Sequence, residues 1–458
     1  MHTAVVLFTR DLRVHDHAAL AAAAREAAHV VPLFVLDDGI VGTGRTGPNR
    51  AAFLLEALRD LDGSLAARGA GLVVRRGEVV DQVGRVVAQT GAGAVHASAD
   101  ISAYAQARQR RLAAAHDLRL HPGVTVVVPG ALTPAGGDHY KVFTPYWRAW
   151  QAVPPRRIEP PPQRLRLPPD LHRGVLPGLD AVAAGAPSPE RVPGGEGPAR
   201  QRLEGWLRDG LARYAELADD LAADDTSRLS PALHFGCLSP GEVAALAREA
   251  TADGTDPDRA AGAEAFVRQL CWRDFHHQVL AARPASAWRD YRSRGDRWDT
   301  DPAAFTAWAE GRTGYPIVDA AMRQLRREGF MPNRARLIAA SFLTKDLYLD
   351  WRLGASHFLH WLVDGDVANN QMNWQWVAGT GNDTRPHRML NPLRQAERFD
   401  PDGTYVRRYV PELAGVDGKA VHRPWLLGPR ERGQLDYPEP MVDHEEAVAR
   451  FRAARDLD

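Results

Sequence analysis

Apolar runs alternate with helical patterns along the first 130 residues of the chain. The apolar runs that predict β-strands lie at 4–8, 30–36, 72–75, 94–97 and 125–128. The helices predicted between these strands lie near 16–28, 48–67, 78–90 and 101–116. Strands that alternate with helices pair in parallel, and the helices cover both faces of the sheet. We therefore predict a doubly wound parallel sheet, a Rossmann-like α/β domain, over residues 1–130.

The pattern of apolar positions changes after this first domain. Prolines are frequent between 151 and 199 and no hydrophobic period is present, which predicts an extended connector that lies on the surface. Farther along, apolar residues return at helical spacing, for example over 316–327 and 334–349. We therefore predict a connector over 131–199 and an all-α domain over 200–458.

Two Ser-Pro pairs in this second domain have the pattern of helix starts. Ser230 precedes Pro231, and Ser239 precedes Pro240. A serine N-cap accepts a hydrogen bond from a free N–H group of the first turn, and proline suits the first helical position. We therefore predict two helices that are capped by Ser230 and Ser239.

The composition is that of an ordinary globular protein, with 458 residues of which 45% are hydrophobic and 25% charged. Two cysteines, Cys237 and Cys271, exclude a disulfide framework and a zinc module. The N-terminus lacks the basic region of a signal peptide, and charges interrupt the most apolar stretch at 18–36. We expect a cytoplasmic protein without a membrane span and, because its histidine pairs lack companion ligands, without a metal site.

Charge and tryptophan content are unevenly distributed. The formal net charge is zero, yet 268–336 holds 13 arginines against 8 acidic residues, and 385–432 is also net basic. The arginines fit either phosphate recognition or a codon bias that also raises the alanine content. Nine of the 12 tryptophans lie between Trp272 and Trp425, which indicates core packing, a stacking surface or a redox path.

A glycine pattern in the first domain matches a dinucleotide-binding fingerprint by letters alone. Gly42, Gly44 and Gly47 have the fingerprint spacing, but they follow the second predicted strand and lead into Pro48. The fingerprint needs its glycines directly after a strand and at the start of a helix. We interpret these glycines as part of a surface loop.

Two motifs of the second domain are more informative. Residues 226–230 place three hydroxyls and a guanidinium before a predicted helix, which suits a phosphate as well as an ordinary cap. Asp366 is positioned to cap a helix on which Asn370 and Trp374 share one face, while Trp376 points elsewhere. One helix can therefore present a tryptophan to each of two sites.

Four longer motifs occur in the order and spacing typical of the photolyase/cryptochrome family, at 226–230, 271–275, 313–320 and 364–376. The opening segment 7–13 and residues 138–145 resemble the N-terminal domain of that family. The resemblance covers essentially the whole chain and is strongest to class I photolyases that act on cyclobutane pyrimidine dimers. It implies a helical domain that binds FAD. For the α/β domain it leaves three alternatives, namely a deazaflavin antenna, a methenyltetrahydrofolate antenna or no antenna at all.

The resemblance also implies which residues bind the flavin. The implied FAD contacts are Tyr214, Thr226, Ser227, Arg228, Leu229, Ser230, Arg336, Asp364, Gly365, Asp366 and Asn370. Asp364 and Arg336 would form an ion pair beside the isoalloxazine, and Asp366 would accept hydrogen bonds from the flavin or ribityl edge. Asn370 would face the flavin N5, where a neutral amide supports the reduced flavin without adding a second negative charge.

A relay and a substrate surface follow from the same resemblance. Trp374, Trp351 and Trp298 match a chain of tryptophans that carries an electron from the surface to FAD. The implied substrate or DNA contacts are Gln269, Trp272, Arg273, Asn333, Arg334, Leu337, Trp376, Arg388 and Gln395. Trp272 and Trp376 would stack on either side of a pyrimidine dimer that has flipped out of the DNA helix.

The implied activity is light-driven repair of UV-damaged DNA by a monomer: excited FADH⁻ gives an electron to the dimer, the ring splits and the electron returns. Four positions depart from the family pattern, namely Gln269 for Glu, Pro332 for His, Leu337 for Met and Ala218 for Arg. These departures leave a cryptochrome-like blue-light photoreceptor as the alternative function. Repair of (6-4) photoproducts is disfavoured because its paired histidines are absent, and a flavin reductase would need a nicotinamide site.

Overall fold

A computed structural model of the chain describes residues 2–41, 43, 46–252 and 254–457. Its strands are β1 (Thr3–Phe8), β2 (His29–Asp37), β3 (Val73–Gly77), β4 (Ala94–Ser98) and β5 (Leu118–His121). They form one parallel sheet in the order β3-β2-β1-β4-β5. The predicted doubly wound parallel sheet is therefore confirmed.

Helices cover both faces of this sheet. They are α1 (Ala18–Glu26), α2 (Asp38–Val41), α3 (Pro48–Ala66), α4 (Val79–Thr90) and α5 (Ala103–Ala115). Alternate residues of β1 point to opposite faces, so Val6 and Phe8 pack in one apolar cluster while Val5 and Leu7 pack in another. The core of the first domain thus consists of two layers separated by the sheet.

The predicted fifth strand is wrong. Residues 125–128 do not pair with the sheet, whose edge strand is β5 at Leu118–His121. Thr125 and Val127 of this run are buried while Val128 is exposed, and the Val127 N–H donates to Asp274 Oδ2 of the second domain at 2.9 Å. Apolar composition indicates burial, and here burial comes from an interdomain contact and not from a strand.

The connector lies along the surfaces of both domains. Within 131–199 it contains one complete α-helix, α6 (Phe143–Gln151), a 3₁₀ turn at Leu179–Ala181 and the first residues of the helix Glu196–Asp209. The Leu165 N–H donates to the Arg68 carbonyl at 2.7 Å, and the Glu190 N–H donates to the Arg327 carbonyl at 3.0 Å. These main-chain bonds fasten the proline-rich segment to the domains that it joins.

The rest of the chain is helical. Its α-helices are α7 (Glu196–Asp209), α8 (Tyr214–Leu217), α9 (Ser230–Phe235), α10 (Pro240–Glu249), α11 (Pro257–Ala282), α12 (Pro302–Glu310), α13 (Pro316–Glu328), α14 (Asn333–Ser341), α15 (Trp351–Trp361), α16 (Val367–Ala378), α17 (Pro392–Phe399), α18 (Thr404–Tyr409), α19 (Pro429–Arg432) and α20 (His444–Ala454). The 3₁₀ turns are Leu211–Arg213, Pro284–Ala287, Pro411–Leu413, Gly418–His422 and Pro424–Leu426, and a π-helical turn spans Phe342–Asp346. Among the residues described, no helix has both the length and the apolar character needed to cross a membrane.

The two predicted serine caps have different outcomes. Ser239 caps α10 as predicted, and its side chain accepts a hydrogen bond from the Glu242 N–H. The prediction that Ser230 caps a helix is wrong, because Ser230 is already the first residue of α9. The residue at the cap position is Leu229, whose side chain makes no capping hydrogen bond. Arg228 has a positive φ of 51°, so the chain turns before Leu229 and enters the helix one residue earlier than predicted.

Candidate functional site

A cavity of about 300 Å³ lies inside the helical domain, and its walls come from α8, α9, α11, α14, α15 and α16 together with the segments between them. The predicted flavin contacts that line it are Tyr214, Thr226, Ser227, Arg228, Leu229, Ser230, Arg336, Asp364, Asp366 and Asn370. Gly365 does not line it and faces a second cavity instead. The structure therefore brings residues from distant parts of the sequence around one space of the size that small-molecule sites have.

The segment 226–230 supplies hydroxyls to the cavity, but its cation is already neutralised. The guanidinium of Arg228 donates to Asp224 and to Glu328, each at 2.7 Å. Burial opposes the charge, yet these two carboxylates raise the pKa of Arg228 above its ordinary value. Arg228 therefore holds the loop in place, and the hydroxyl groups are left to meet a ligand.

The predicted ion pair is present at the far wall of the cavity. Arg336 donates to Asp364 Oδ2 at 2.8 Å and to the Met331 carbonyl, also at 2.8 Å. Asp364 is 8% exposed and Arg336 half-buried. A charge-assisted pair of this kind holds a fixed negative and positive group against any ligand in the cavity.

Asp366 begins α16 and carries a network that reaches the first domain. Its Oδ1 accepts the Asn369 N–H at 2.8 Å, which is the predicted helix cap, and its Oδ2 accepts from Arg10. His277 lies 3.6 Å away. Burial alone would raise the pKa of Asp366, but His277 and Arg10 lower it well below its ordinary value. Asp366 is therefore an anion, and its oxygen atoms are largely engaged by the protein.

Asn370 and Trp374 share one face of α16, as predicted, and both line the cavity. The Asn370 amide donates to the Ala355 carbonyl at 3.0 Å and to Gln371 Oε1 at 2.8 Å, which orients its side chain. Trp374 is only 2% exposed, and its ring packs against Phe358 with a centroid distance of 4.9 Å. The helix thus presents a neutral amide and an indole to the same space.

Three buried polar atoms at this cavity have no hydrogen-bond partner in the described part of the chain. They belong to Thr226 (Oγ1), Asp364 (Oδ1) and Trp374 (Nε1). Buried polar atoms are nearly always bonded, so these atoms require a ligand or water. Apolar walls from Phe330, Met331 and neighbouring residues accompany them. A cofactor with a flat ring and a polar tail, such as FAD, fits this donor set.

The other two predicted relay tryptophans lie behind Trp374. Trp351 is fully buried and begins α15, and its Nε1 donates to Asp290 at 2.9 Å. One turn farther along α15, a Cβ at Gly354 would collide with the Trp374 ring, so this helix contacts the indole closely. Trp298 is half-buried and packs near the start of the same helix. The three indoles belong to one apolar cluster that extends from the cavity to the surface.

Comparison with known proteins agrees with this geometry. One family model, the FAD binding domain of DNA photolyase, matches residues 266–456, and another, DNA photolyase, matches residues 4–165. The deoxyribodipyrimidine photo-lyase of Streptomyces griseus is 53% identical over 100% of both chains, and that of Escherichia coli K12 is 36% identical over 99% of each. The chain belongs to the photolyase/cryptochrome family.

Solved structures of this family have the same fold. A bacterial class III photolyase from Agrobacterium tumefaciens superposes with a TM-score of 0.91 at 32% identity, covering 99% of this chain and 97% of that one. A cryptochrome from Synechocystis superposes with a TM-score of 0.90 at 30% identity, over 100% and 99% of the two chains. The α/β domain, the helical domain and the FAD-binding assignment are those of photolyases and cryptochromes.

The predicted substrate contacts fall into two groups. Those that line the cavity are Gln269, Arg273, Asn333 and Leu337, and those that lie outside it are Trp272, Arg334, Trp376, Arg388 and Gln395. Gln269 and Asn333 are exposed and form part of the rim. Arg388 is also exposed, on the segment that follows α16. Gln269 and Asn333 thus mark the side on which the cavity opens to solvent.

Two of the predicted DNA contacts are engaged by the protein itself. The Arg273 guanidinium donates to the Val124 carbonyl at 2.6 Å and also to that of Leu233, so it is not free for a phosphate. Arg334 donates to Asp219 at 2.5 Å and lies over the Phe399 ring. Both guanidinium groups therefore stabilise the wall of the site, and their contact with DNA stays a prediction.

The two predicted stacking tryptophans are only partly available. Trp272 stacks on Phe143 with a centroid distance of 3.6 Å and nearly parallel planes, so one face of its indole is covered. Trp376 is half-buried against the helical core. Stacking of a flipped base on these indoles stays a prediction.

Sequence reasoning missed the contact between the two domains at the flavin site. Arg10, from the loop after β1, donates to Asp366 and to the His234 carbonyl at 3.2 Å, and it lies 3.5 Å from Asp100. Burial lowers the pKa of His277, whose ring lies beside Asp366. Arg10 lies 356 residues before Asp366, and no local pattern connects positions so far apart.

A second cavity, of about 240 Å³, lies in the first domain at the carboxyl ends of β1, β2 and β4. Parallel α/β sheets bind ligands at this edge. Tyr104 and Asp37 lie at its wall and are joined by a hydrogen bond of 2.7 Å, and His234 lines both this cavity and the first one. A family member from Sulfolobus tokodaii, 28% identical with a TM-score of 0.85, holds two FAD molecules. Gly42 and Gly44 of the glycine pattern lie outside the described residues.

Proposed function

We propose that this protein is a deoxyribodipyrimidine photo-lyase that splits cyclobutane pyrimidine dimers in UV-damaged DNA under blue light. The observation that carries the proposal is the cavity, which buries three unpartnered polar groups of Thr226, Asp364 and Trp374 beneath an exposed rim. FAD, bound there in its reduced form and excited by light, supplies one electron to the dimer and recovers it after the ring has split. The 53% identical photo-lyase supports this assignment.

The residues of the chain hold the cofactor, orient the groups around it and exclude water. The ion pair of Arg336 and Asp364 fixes the charge along one edge of the flavin, and Asn370 offers a neutral amide to the ring. Trp374 closes the apolar side of the cavity and keeps water from it. At the rim, the Gln269 amide hydrogen-bonds the pyrimidine edge of the extruded lesion. Burial and preorganised donors of this kind favour electron transfer over side reactions with water.

The indoles of Trp374, Trp351 and Trp298 would relay electrons one at a time from an external donor at the surface to oxidised FAD. Two electrons and one proton would restore the reduced cofactor. Their shared apolar cluster is the support for this role. On the DNA side, the exposed Arg388 and the locally basic surface around the rim neutralise phosphates, so affinity falls as salt rises. We propose that the protein works as a monomer in the cytoplasm.

The second cavity is the proposed site of an antenna chromophore. It lies at the ligand-binding edge of the sheet, and His234 lines both its space and the flavin cavity. Deazaflavin and methenyltetrahydrofolate are both candidates. Absorbance and mass spectrometry of the purified holoprotein would identify the chromophore that it carries.

A cryptochrome-like photoreceptor is the second candidate function. The observation in its favour is that all four departures from the family pattern line the flavin cavity, at Ala218, Gln269, Pro332 and Leu337. The test is to reduce the FAD-loaded protein and to illuminate it with UV-irradiated plasmid, with a dark sample as the control. Light-dependent loss of dimers supports the photo-lyase, whereas photoreduction of the flavin without loss of dimers supports the photoreceptor.

A further inference from the structure

A buried lysine beneath the predicted DNA surface has no part in the site described so far. Lys345 is 2% exposed and lies in the π-helical turn that follows α14. Its Nζ donates to the main-chain carbonyls of Arg388 and of Pro386, the latter at 3.5 Å, and stands 5.4 Å from the centre of the Phe451 ring. Burying an ammonium group is costly, so the fold must gain from the contacts that it makes.

The carbonyls that Lys345 contacts belong to the segment 382–391, which joins α16 to α17. This segment has no helix before Asn391 and exposes Arg385, His387 and Arg388 to solvent. Such a segment has few main-chain bonds of its own and would move freely without attachments. Its three exposed basic side chains lie beside the helix that carries Trp374.

Further contacts hold the segment from the same side. The Leu390 N–H donates to Ser341 Oγ at 3.3 Å, and the Pro386 carbonyl packs so closely on Gly379 that a Cβ there would collide with it. Ser341 ends α14, the helix whose first turn places Asn333 at the rim of the cavity. One continuous helical rod therefore builds the rim at one end and anchors the basic segment at the other.

Charged groups face the ammonium from several elements. Besides burial, the pKa of Lys345 is lowered by Arg455 of the C-terminal segment and by Arg388 of the segment 382–391. It is raised by Asp383 of that segment and by Asp346 of the π turn. Burial lowers the pKa of Lys345 to about 7. The charged ammonium donates stronger hydrogen bonds to the two carbonyls than a neutral amine would.

We propose that Lys345 is a positioning residue for DNA binding: from the interior of the helical domain it grips the carbonyls of Pro386 and Arg388 and so presents Arg385 and Arg388 to the phosphates of damaged DNA. The inference rests on the proposed function, because it requires DNA at this face. Lys345 itself does not touch the nucleic acid. π-Helical turns often occur at functional sites, and this one places the lysine under the segment.

The test compares Lys345→Met with Lys419→Met in the FAD-loaded full chain. Methionine keeps most of the apolar stem and removes the N–H donors, while Lys419 is an exposed lysine, so its variant controls for the loss of one positive charge. Affinity for a duplex with one thymine dimer is measured over a salt series. We expect Lys345→Met to bind about tenfold more weakly, with a shallower salt dependence, because phosphate contacts are lost. Lys419→Met should bind as the wild type does.

A double-mutant cycle with Arg388→Ala separates positioning from general destabilisation. If Lys345 acts through this arginine, then Lys345→Met adds little to the loss caused by Arg388→Ala. Fully additive losses, or an unchanged affinity of Lys345→Met, would overturn the inference. FAD content and flavin absorbance are recorded for every variant and should match the wild type.

A second variant keeps the inference testable if Lys345→Met does not fold. Lys345→Gln retains N–H donors without the charge, and hydrogen–deuterium exchange of residues 382–391 should be faster in it than in the wild type; equal exchange rates would contradict the inference. The two proposals fail differently. Absence of repair and of damage-specific binding in the wild type contradicts the proposed function, whereas normal wild-type binding with no effect of Lys345 contradicts only the inference.

Discussion

The two cavities of this protein differ in what surrounds them. The cavity of the helical domain meets an indole of the tryptophan cluster at Trp374, an ion pair at Arg336 and an open rim at Gln269. The cavity of the α/β domain is built from the ends of strands and meets none of these groups. The proposed electron transfer and substrate binding therefore belong to the cavity of the helical domain.

The wall between the cavities is where the two domains depend on each other. Arg10 comes from the α/β domain and Asp366 caps a helix of the flavin cavity, so one ion pair belongs to both. His234 lines both spaces. Substitutions in the flavin cavity, at the wall and in the second cavity should accordingly have decreasing effects on the photo-lyase.

The largest expected effect follows from breaking the ion pair of the flavin cavity. Arg336→Met leaves the Asp364 carboxylate buried without its cation, and FAD affinity should fall by about 3 kcal/mol, or roughly a hundredfold. Titration of the apoprotein with FAD, followed by fluorescence, measures this loss. Arg326→Met removes an exposed arginine from the neighbouring α13 and should bind FAD normally. Equal affinity of both variants would show that the pair does not hold the flavin.

The next effect concerns the relay. Trp374→Phe should reduce the rate of FAD photoreduction to a small fraction of the wild-type rate, while FAD binding and repair by chemically reduced enzyme stay nearly intact. The matched control is Trp308→Phe, which removes the same volume from the same core, where Trp308 lies 6.1 Å from the Trp374 ring. Flash photolysis with an external electron donor measures the rate of FAD photoreduction in each of the two variants. Photoreduction that survives in Trp374→Phe would place the electron path elsewhere.

A smaller effect is expected at the shared wall. Arg10→Met leaves Asp366 anionic and buried, which should lower the free energy of unfolding by about 2 kcal/mol at pH 7. Because the pKa of Asp366 lies well below its unfolded value, the pair stabilises the fold above pH 4 or so and loses this contribution as the pH falls further.

Urea unfolding at several pH values measures the effect at the wall. The difference in the free energy of unfolding between wild type and Arg10→Met should be largest near neutral pH and should become smaller in acid. Arg76→Met, which breaks an exposed pair with Asp38, should change stability by less than about 1 kcal/mol. A difference that stays constant or grows in acid would contradict the assignment of the charge to Asp366.

The smallest effect belongs to the second cavity. Tyr104→Phe removes the hydroxyl that donates to Asp37, which should cost about 1 kcal/mol of stability. Repair driven by light that the flavin absorbs directly should match the wild type. Quantum yields measured at a wavelength absorbed by FAD alone check this. A large loss of repair would mean that the α/β domain takes a direct part in the reaction.

Sequence patterns predicted what depends on local spacing. The alternation of apolar runs predicted the parallel sheet, and the Asp366 cap with Asn370 and Trp374 on one face of α16 was predicted correctly. The strand at 125–128 was wrong, because apolar residues are buried equally well by a strand and by a contact between domains. The family resemblance implied a substrate or DNA contact for Arg273, and the fold adds what that resemblance did not indicate, a bond from its guanidinium to a main-chain carbonyl.

Long-range partners could not be predicted from spacing. The contacts of Arg228 with Glu328 and of Arg10 with Asp366 join positions that only the folded chain brings together. Local periodicity carries no information about such pairs. The same limit applied to Lys345, whose role depends on carbonyls more than 40 residues away.

The measurement that tests the central claim most directly is blue-light repair of a defined thymine cyclobutane dimer by the reduced holoprotein. Single- and double-stranded oligonucleotides serve as substrates, and Gln269→Glu is assayed in parallel. We expect the wild type to repair the dimer, which would show that an amide suffices at the rim of the cavity. A wild type that repairs nothing, while Gln269→Glu does, would contradict the account and indicate a photolyase scaffold that has shifted towards light sensing or another lesion.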